Sequence, residues 1–267
     1  MQVVAVTGGK GGVGKTNVAV NLSVALSKLG RDVVLFDADL GLANVDLLMG
    51  LAVSHTLADV VSGEKSVNEI IVKSDTGVRV LPAASGIPEM VELSSESRAE
   101  LIRSLSDQLV TPEVMIVDTG AGIDQTVQTF VAACQTPLLV VCDEPASLTD
   151  CYALIKVLRH NKNIKQFSVL VNQVDTQFQG KNLFDRLSAV ANKHLDVNLS
   201  YLGCVPADPY LKRAVQERRP LVNAYPRSPA AVAFASCADR VLSLQAETRS
   251  PGMAFFLEQM LGTVPAA

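Results

Sequence analysis

Short apolar runs alternate with longer stretches of helical period along most of the chain. Residues 3–7 form an apolar run that stops at a Gly-Gly pair. Residues 16–29 then place Val20, Val24 and Leu26 on a helical repeat, with Gly30 as the stop. The same pairing recurs. Strands are predicted over 33–36, 78–81, 114–117, 138–142, 168–171 and 201–205. Helices are predicted over 95–109, 124–133, 148–159, 183–195, 211–218 and 230–244, and a loop-rich stretch with short helices fills the interval from Gly50 to Ile71. The strands are continuous runs of Val, Leu, Ile and Ala and do not alternate with polar residues. That pattern fits a sheet buried on both faces, hence a mainly parallel sheet with crossover helices. The expected fold class is α/β, a mainly parallel sheet flanked by helices, with one domain over 1–245 and a separate tail over 246–267.

Composition sharpens this picture. Hydrophobic residues make up 48% of the 267, aromatic residues only 4%, and Trp is absent, so an aliphatic core is expected. A net charge of −4 argues against a broad nucleic-acid footprint, and no direct nucleic-acid contact is expected. The five cysteines, Cys134, Cys142, Cys151, Cys204 and Cys237, form no C-x-x-C pair, which disfavours a disulfide framework or a zinc knuckle. The first strand follows Met1 almost directly and no apolar run nears ~20 residues, so a cytoplasmic protein is expected.

The chemistry concentrates just past the strand ends. Gly9-Lys10-Gly11-Gly12-Val13-Gly14-Lys15-Thr16 satisfies G-x-x-x-x-G-K-[ST] between a strand and a helix. Its glycines let backbone N–H groups curl around phosphate oxygens. Lys15 is expected to reach the β- and γ-phosphates, the Thr16 hydroxyl to meet Mg²⁺, and the helix N-terminus to favour the anion. The second strand ends in Asp37-Ala38-Asp39, and the run 114–117 ends in Asp118, placed to hold Mg²⁺ through a water. Thr119-Gly120-Ala121-Gly122 suits a loop that changes backbone state when a phosphate leaves.

Lys10-Gly11-Gly12-Val13-Gly14-Lys15-Thr16 resembles the deviant phosphate loop of the MinD/ParA class of P-loop ATPases. The resemblance spans nearly the whole chain. It implies ATP and Mg²⁺ as cofactors and an ATP-dependent homodimer in which Lys10 reaches the partner's phosphates. It implies that Asp39 orients the attacking water, so that the catalytic set is Lys10, Lys15 and Asp39, and that Thr16, Asp37 and Asp118 form the metal set. Asn44 falls near the dimer interface. Gly9 to Asn17 would hold the nucleotide, with Asn172, Pro206 and Asp208 at the base. Taken as residues alone, Lys10 also reads as a solvated loop lysine, Asp37 as a turn former, and Asn172 and Pro206-Ala207-Asp208 as turn residues.

Within that class, Asp39 to Asp46, Cys142 to Asp150 and Phe255-Phe256-Leu257-Glu258 look closest to the flagellar-number regulators of the FleN/FlhG branch. Membership there implies a flagellar transcription activator of the FleQ type as partner, with the flagellar GTPase FlhF as a further one. A MinD-type positioner of the division site is the alternative. Arg213, Arg218 and Arg219 with Lys212 give one modest basic cluster, read as a solvated helix face. Met253, Phe256, Leu257, Met260, Leu261 and Val264 recur at helical spacing as one apolar face. This amphipathic C-terminal helix either lies in a membrane interface or packs on the domain.

Overall fold

The computed structural model describes residues 1–39, 44–82 and 111–244. The helix expected over 95–109 and the tail over 246–267 lie outside the described residues. In chain order the elements are β1 (Gln2–Gly8), α1 (Lys15–Lys28), β2 (Val33–Ala38), α2 (Val45–Met49), α3 (Leu57–Val61), α4 (Val67–Ile70), β3 (Val72–Lys73) and β4 (Arg79–Pro82). There follow β5 (Val114–Ala121), α5 (Gln125–Ala133), β6 (Thr136–Cys142), α6 (Pro145–Lys162), β7 (Gln166–Val174), α7 (Gln177–Leu195), β8 (Asn198–Pro206), α8 (Pro209–Gln216), α9 (Leu221–Ala224) and α10 (Pro229–Ser243).

One eight-stranded sheet runs in the order β3-β4-β2-β5-β1-β6-β7-β8. Every pairing is parallel except β3 with β4. The expected strands are all present, several of them longer at their carboxyl ends. β3 is new. Two residues carry too little pattern to be seen, and the strand exists because Val72 finds Val80 across the edge. Helix α6 starts at Pro145, three residues before its apolar period begins, because proline is pre-set for the first helical position.

Period-two sorting explains why the strands read as unbroken apolar runs. Val4, Val6, Leu35, Ile116 and Val140 face one side, against α1 and α10. Their neighbours Val3, Ala5, Phe36, Val117 and Val141 face the other, packing with Phe130 and Val131 of α5 or with Leu154 and Leu158 of α6. Both faces of the central strands are dry, so most of their positions are apolar up to the carboxyl ends. The core is aliphatic with a few aromatic centres, such as the edge-to-face pair Phe36 and Phe130 at 5.7 Å.

The chain leaves β1 for β2 on one side of the sheet and later returns to place β6 on the other. Strand order therefore reverses beside β1. The crevice at that reversal, outside the carboxyl ends of the strands, is where such sheets bind ligands.

Candidate functional site

The loop between β1 and α1 occupies that crevice. Gly14 caps α1 in the left-handed region (φ 91°), and a β-carbon on it would sit 2.5 Å from the Asn172 amide nitrogen. A β-carbon on Gly9 would lie 2.2 Å from the Asp150 carbonyl oxygen on α6. These two positions admit only glycine, one for backbone shape and one for space. Asn172, buried on β7, donates from Nδ2 to the Val13 carbonyl at 2.9 Å and so pins the loop from beneath.

A cleft of about 670 Å³ opens above the loop, lined among others by Gly11, Gly12, Gly14, Lys15, Thr16, Asn17, Asp39 and Asn44. Lys15 is only 8% exposed. Its ammonium points toward the Lys10 carbonyl at 3.5 Å, and burial lowers its pKa while Asp118 and Asp39 pull the other way. It is a largely desolvated cation aimed into a cradle of backbone amides, the arrangement that suits a polyphosphate.

Asp37 and Asp118 stand abreast on β2 and β5, directly paired in register. The Asp37 carboxylate is committed to the backbone, accepting from the N–H groups of Asp39 and Val45 at 3.3 Å each. It thereby ties the end of β2 to the start of α2. Burial pushes its pKa up to about 6. Asp118 is 1% exposed, and neither carboxyl oxygen has a hydrogen-bond partner. Burial first, and then the neighbouring Asp37, push it up to about 8; the Thr16 hydroxyl and the Lys15 ammonium oppose this without closing a hydrogen bond on it. Two orphaned carboxyl oxygens beside a threonine hydroxyl fit a divalent cation. No cluster of three ligating side chains exists among the described residues. That suits Mg²⁺, which takes one or two protein oxygens and completes its shell with phosphate and water.

Asp39 follows β2 and lines the cleft. A β-carbon on Gly120 would lie 3.4 Å from its Oδ1, so the carboxylate rests against the carboxyl end of β5. Lys10 is not a free loop lysine. It forms an ion pair with Glu144, the residue that caps α6. Both side chains are partly exposed, so the pair holds Lys10 only weakly.

The three residues expected at the base fall at the carboxyl ends of β7 and β8. Asn172 donates to the Val13 carbonyl beneath the loop, and Asp208 caps α8 by accepting from the Tyr210 N–H and ties it to α10 by accepting from the Ala230 N–H. Pro206 lines a second groove, of about 630 Å³, beside the edge strand β8. The cleft is also lined by Gln173, in the left-handed region at φ 58°, with Leu47, Leu48, Val215 and Arg218. Only the left-handed turn at the end of β7 exposes Gln173, and no sequence signal marks it.

The fold and this site define a phosphate-loop α/β protein whose cleft sits at the strand-order reversal. The chain belongs to the CobQ/CobB/MinD/ParA nucleotide-binding domain family, which it matches over residues 4–221. It is 48% identical over 262 residues to the antiactivator FleN of Pseudomonas aeruginosa, covering 98% of this chain and 94% of that one. It is 35% identical over 217 residues to the flagellum site-determining protein YlxH of Helicobacter pylori, covering 81% and 73%. Among solved structures, MinD from the MinC:MinD complex of Aquifex aeolicus superposes with a TM-score of 0.73 at 26% identity, covering 93% and 98%. MinD of Pyrococcus horikoshii complexed with Mg-ADP gives 0.71 at 25%, covering 93% and 99%. Among the described residues no helix is long and apolar enough to cross a membrane.

Proposed function

We propose that this protein is a nucleotide-driven switch that binds and hydrolyses Mg-ATP, closes a homodimer in the ATP state, and limits flagellar number by restraining a transcription activator of the FleQ type. The observation that carries the nucleotide part is the buried pair of orphaned Asp118 oxygens facing Thr16, next to a desolvated Lys15 on a glycine cradle. The regulatory part is supported by the 48% identity to a protein named an antiactivator. In this reading the backbone amides of the loop and Lys15 bind the phosphates. Thr16 and Asp118 hold Mg²⁺, which when bound offsets phosphate charge, and Asp39 orients water.

Asp39→Ala is the direct test. It removes the water-orienting carboxylate and leaves the cradle intact, so ATP hydrolysis should fall by about 10²–10⁴-fold while ATP binding persists. Light scattering with ATP should then report a lasting dimer. A monomer under those conditions would sink the switch. Recovery of a flagellar activator on the ATP-locked protein separates this reading from a MinD-type division positioner, which the resemblance to the MinD structures keeps in view.

The Lys10–Glu144 pair gives a finer expectation. If Lys10 crosses to a partner's phosphates, it must first leave Glu144. Glu144→Gln removes that competitor, and ATP-dependent dimerisation should shift to lower protein concentration by no more than about fivefold. Sedimentation velocity across a dilution series measures this. A shift to higher concentration would instead mean that Glu144 supports the dimer.

A further inference from the structure

Gly122, Ile123 and Asp124 join the end of β5 to α5. Just before them Ala121 lines the cleft and Gly120 lies against Asp39. Little packing holds this joint. Gly122 has φ 106° with open space where a β-carbon would stand, and Ile123 is 48% exposed. Polar contacts hold it instead. The Gly122 N–H donates to the Gly8 carbonyl at 3.2 Å, and Asp124 caps α5 by accepting from the Val127 N–H at 2.9 Å. The Ile123 carbonyl accepts from Nε2 of Gln128 at 2.7 Å.

Gln128 is the unusual member of this set. Helix α5 buries Val127, Phe130 and Val131, and among them it buries this glutamine, 6% exposed. Both ends of the amide are used. Nε2 serves the loop, and Oε1 accepts from Nδ2 of Asn161, on the last turn of α6, at 2.9 Å. A buried amide is costly unless it is satisfied, and an apolar side chain of similar length would fill the space without that demand. The polar choice creates a relay of two hydrogen bonds from α6 to the backbone of the loop.

Helix α6 also touches the phosphate loop. Glu144, which caps it, pairs with Lys10, and the Asp150 carbonyl of its second turn packs against Gly9. Its 18 residues span about 27 Å, so one stiff helix contacts both loops that border the cleft.

We infer that Gln128 is a positioning residue for hydrolysis: through the chain Asn161–Gln128–Ile123, α6 fixes the backbone between β5 and α5, and with it the place of Gly120 beside Asp39. This rests on the reading of Asp39 as the group that orients water. The relay acts on the hydrolytic step and leaves nucleotide binding alone. The groups assigned to phosphate and Mg²⁺ are the loop amides, Lys15, Thr16 and Asp118, and Asp118 is held by strand pairing on both sides.

Steady-state hydrolysis and calorimetric titration of the full chain with Mg-ATP test the assignment. Gln128→Met fills a similar volume and makes neither hydrogen bond. Its kcat should fall about five- to fiftyfold while its affinity for Mg-ATP stays within about twofold. Asn161→Ala cuts only the outer link, at an exposed position, and kcat should fall about two- to fivefold. The double variant should be no slower than Gln128→Met, because the two residues act through one chain of contacts. Hydrogen exchange of the peptide spanning Gly120 to Asp124 should quicken in both variants, with strand β1 unchanged. Unchanged kcat in both variants, or losses that multiply in the double variant, would overturn the relay. So would a parallel loss of kcat and ATP affinity, which marks a purely structural glutamine. Should Gln128→Met fail to fold, Asn161→Ala decides alone: slower hydrolysis with quicker exchange supports the relay, and wild-type values in both refute it. Asp39→Ala separates the two readings. Full activity in that variant refutes the role of Asp39 and the inference with it. Activity lost there but kept in both relay variants refutes the inference alone.

Discussion

Asp118→Asn is expected to raise the thermal stability of the nucleotide-free protein and to abolish its response to Mg-ATP. Asp118 is buried with both oxygens unpartnered, and its folded-state pKa stands near 8 against an ordinary 3.8. The folded state therefore binds more protons than the unfolded one between those values. Stability falls as pH rises through that window, and Asp37, raised to about 6, acts in the same sense. Asparagine removes the ionisation but leaves an amide to satisfy, so the recovered stability at neutral pH should be roughly 1–3 kcal/mol, or several degrees in Tm. The difference between variant and wild type should be small near pH 5 and grow toward pH 8, by on the order of 2 kcal/mol. Differential scanning in EDTA across that range measures it, and a constant difference would refute the account. With Mg-ATP added, the wild type should gain stability by mass action and the variant should not. The carboxylate that burdens the empty protein is the one that makes it bind.

Lys15→Ala is expected to weaken Mg-ATP binding by about 100-fold. The ammonium is largely desolvated and meets no protein carboxylate at ion-pair distance among the described residues; Asp118 and Asp39 act on it only through space. A charge-assisted hydrogen bond to phosphate in such a setting contributes roughly 1.5–3 kcal/mol. Titration of a fluorescent ATP analogue, with circular dichroism to check folding, reads the effect. Affinity within threefold of wild type would remove Lys15 from the phosphate site. The two variants are distinguishable. Loss of Lys15 takes a positive charge away from Asp118 and should further lower its tendency to ionise, so Lys15→Ala keeps the pH dependence of stability that Asp118→Asn removes.

Much of this arrangement was legible along the chain. The phosphate loop is local: eight consecutive residues carry the glycines, the lysine and the hydroxyl, and the flanking strand and helix follow from short-range periodicity. Asp39 and Asp118 were visible because each ends an apolar run. The long-range contacts around the cleft were not legible. The resemblance implies a base contact for Asn172, and what the sequence did not show is that its amide also holds Val13, 159 positions away. Gln173 reaches the cleft through one left-handed residue, and Arg218 through a second packed on Gly50. Nor did sequence reading pair Lys10 with Glu144, since each sits in its own loop and only the adjacency of β1 and β6 brings them together.

The division has a physical cause. The sequence by itself determined the α/β class, the parallel sheet, the crevice beside β1 and the phosphate cradle, because each rests on apolar period or backbone freedom within a dozen residues. The tertiary structure decided which polar groups are satisfied and which are left open to a ligand. Asp37 and Asp118 read alike as aspartates at strand ends. Stood abreast on neighbouring strands, one is bound to the backbone of Asp39 and Val45 and the other is left bare. Satisfaction of a buried polar group depends on what the rest of the fold brings to it, and no stretch of sequence carries that information alone.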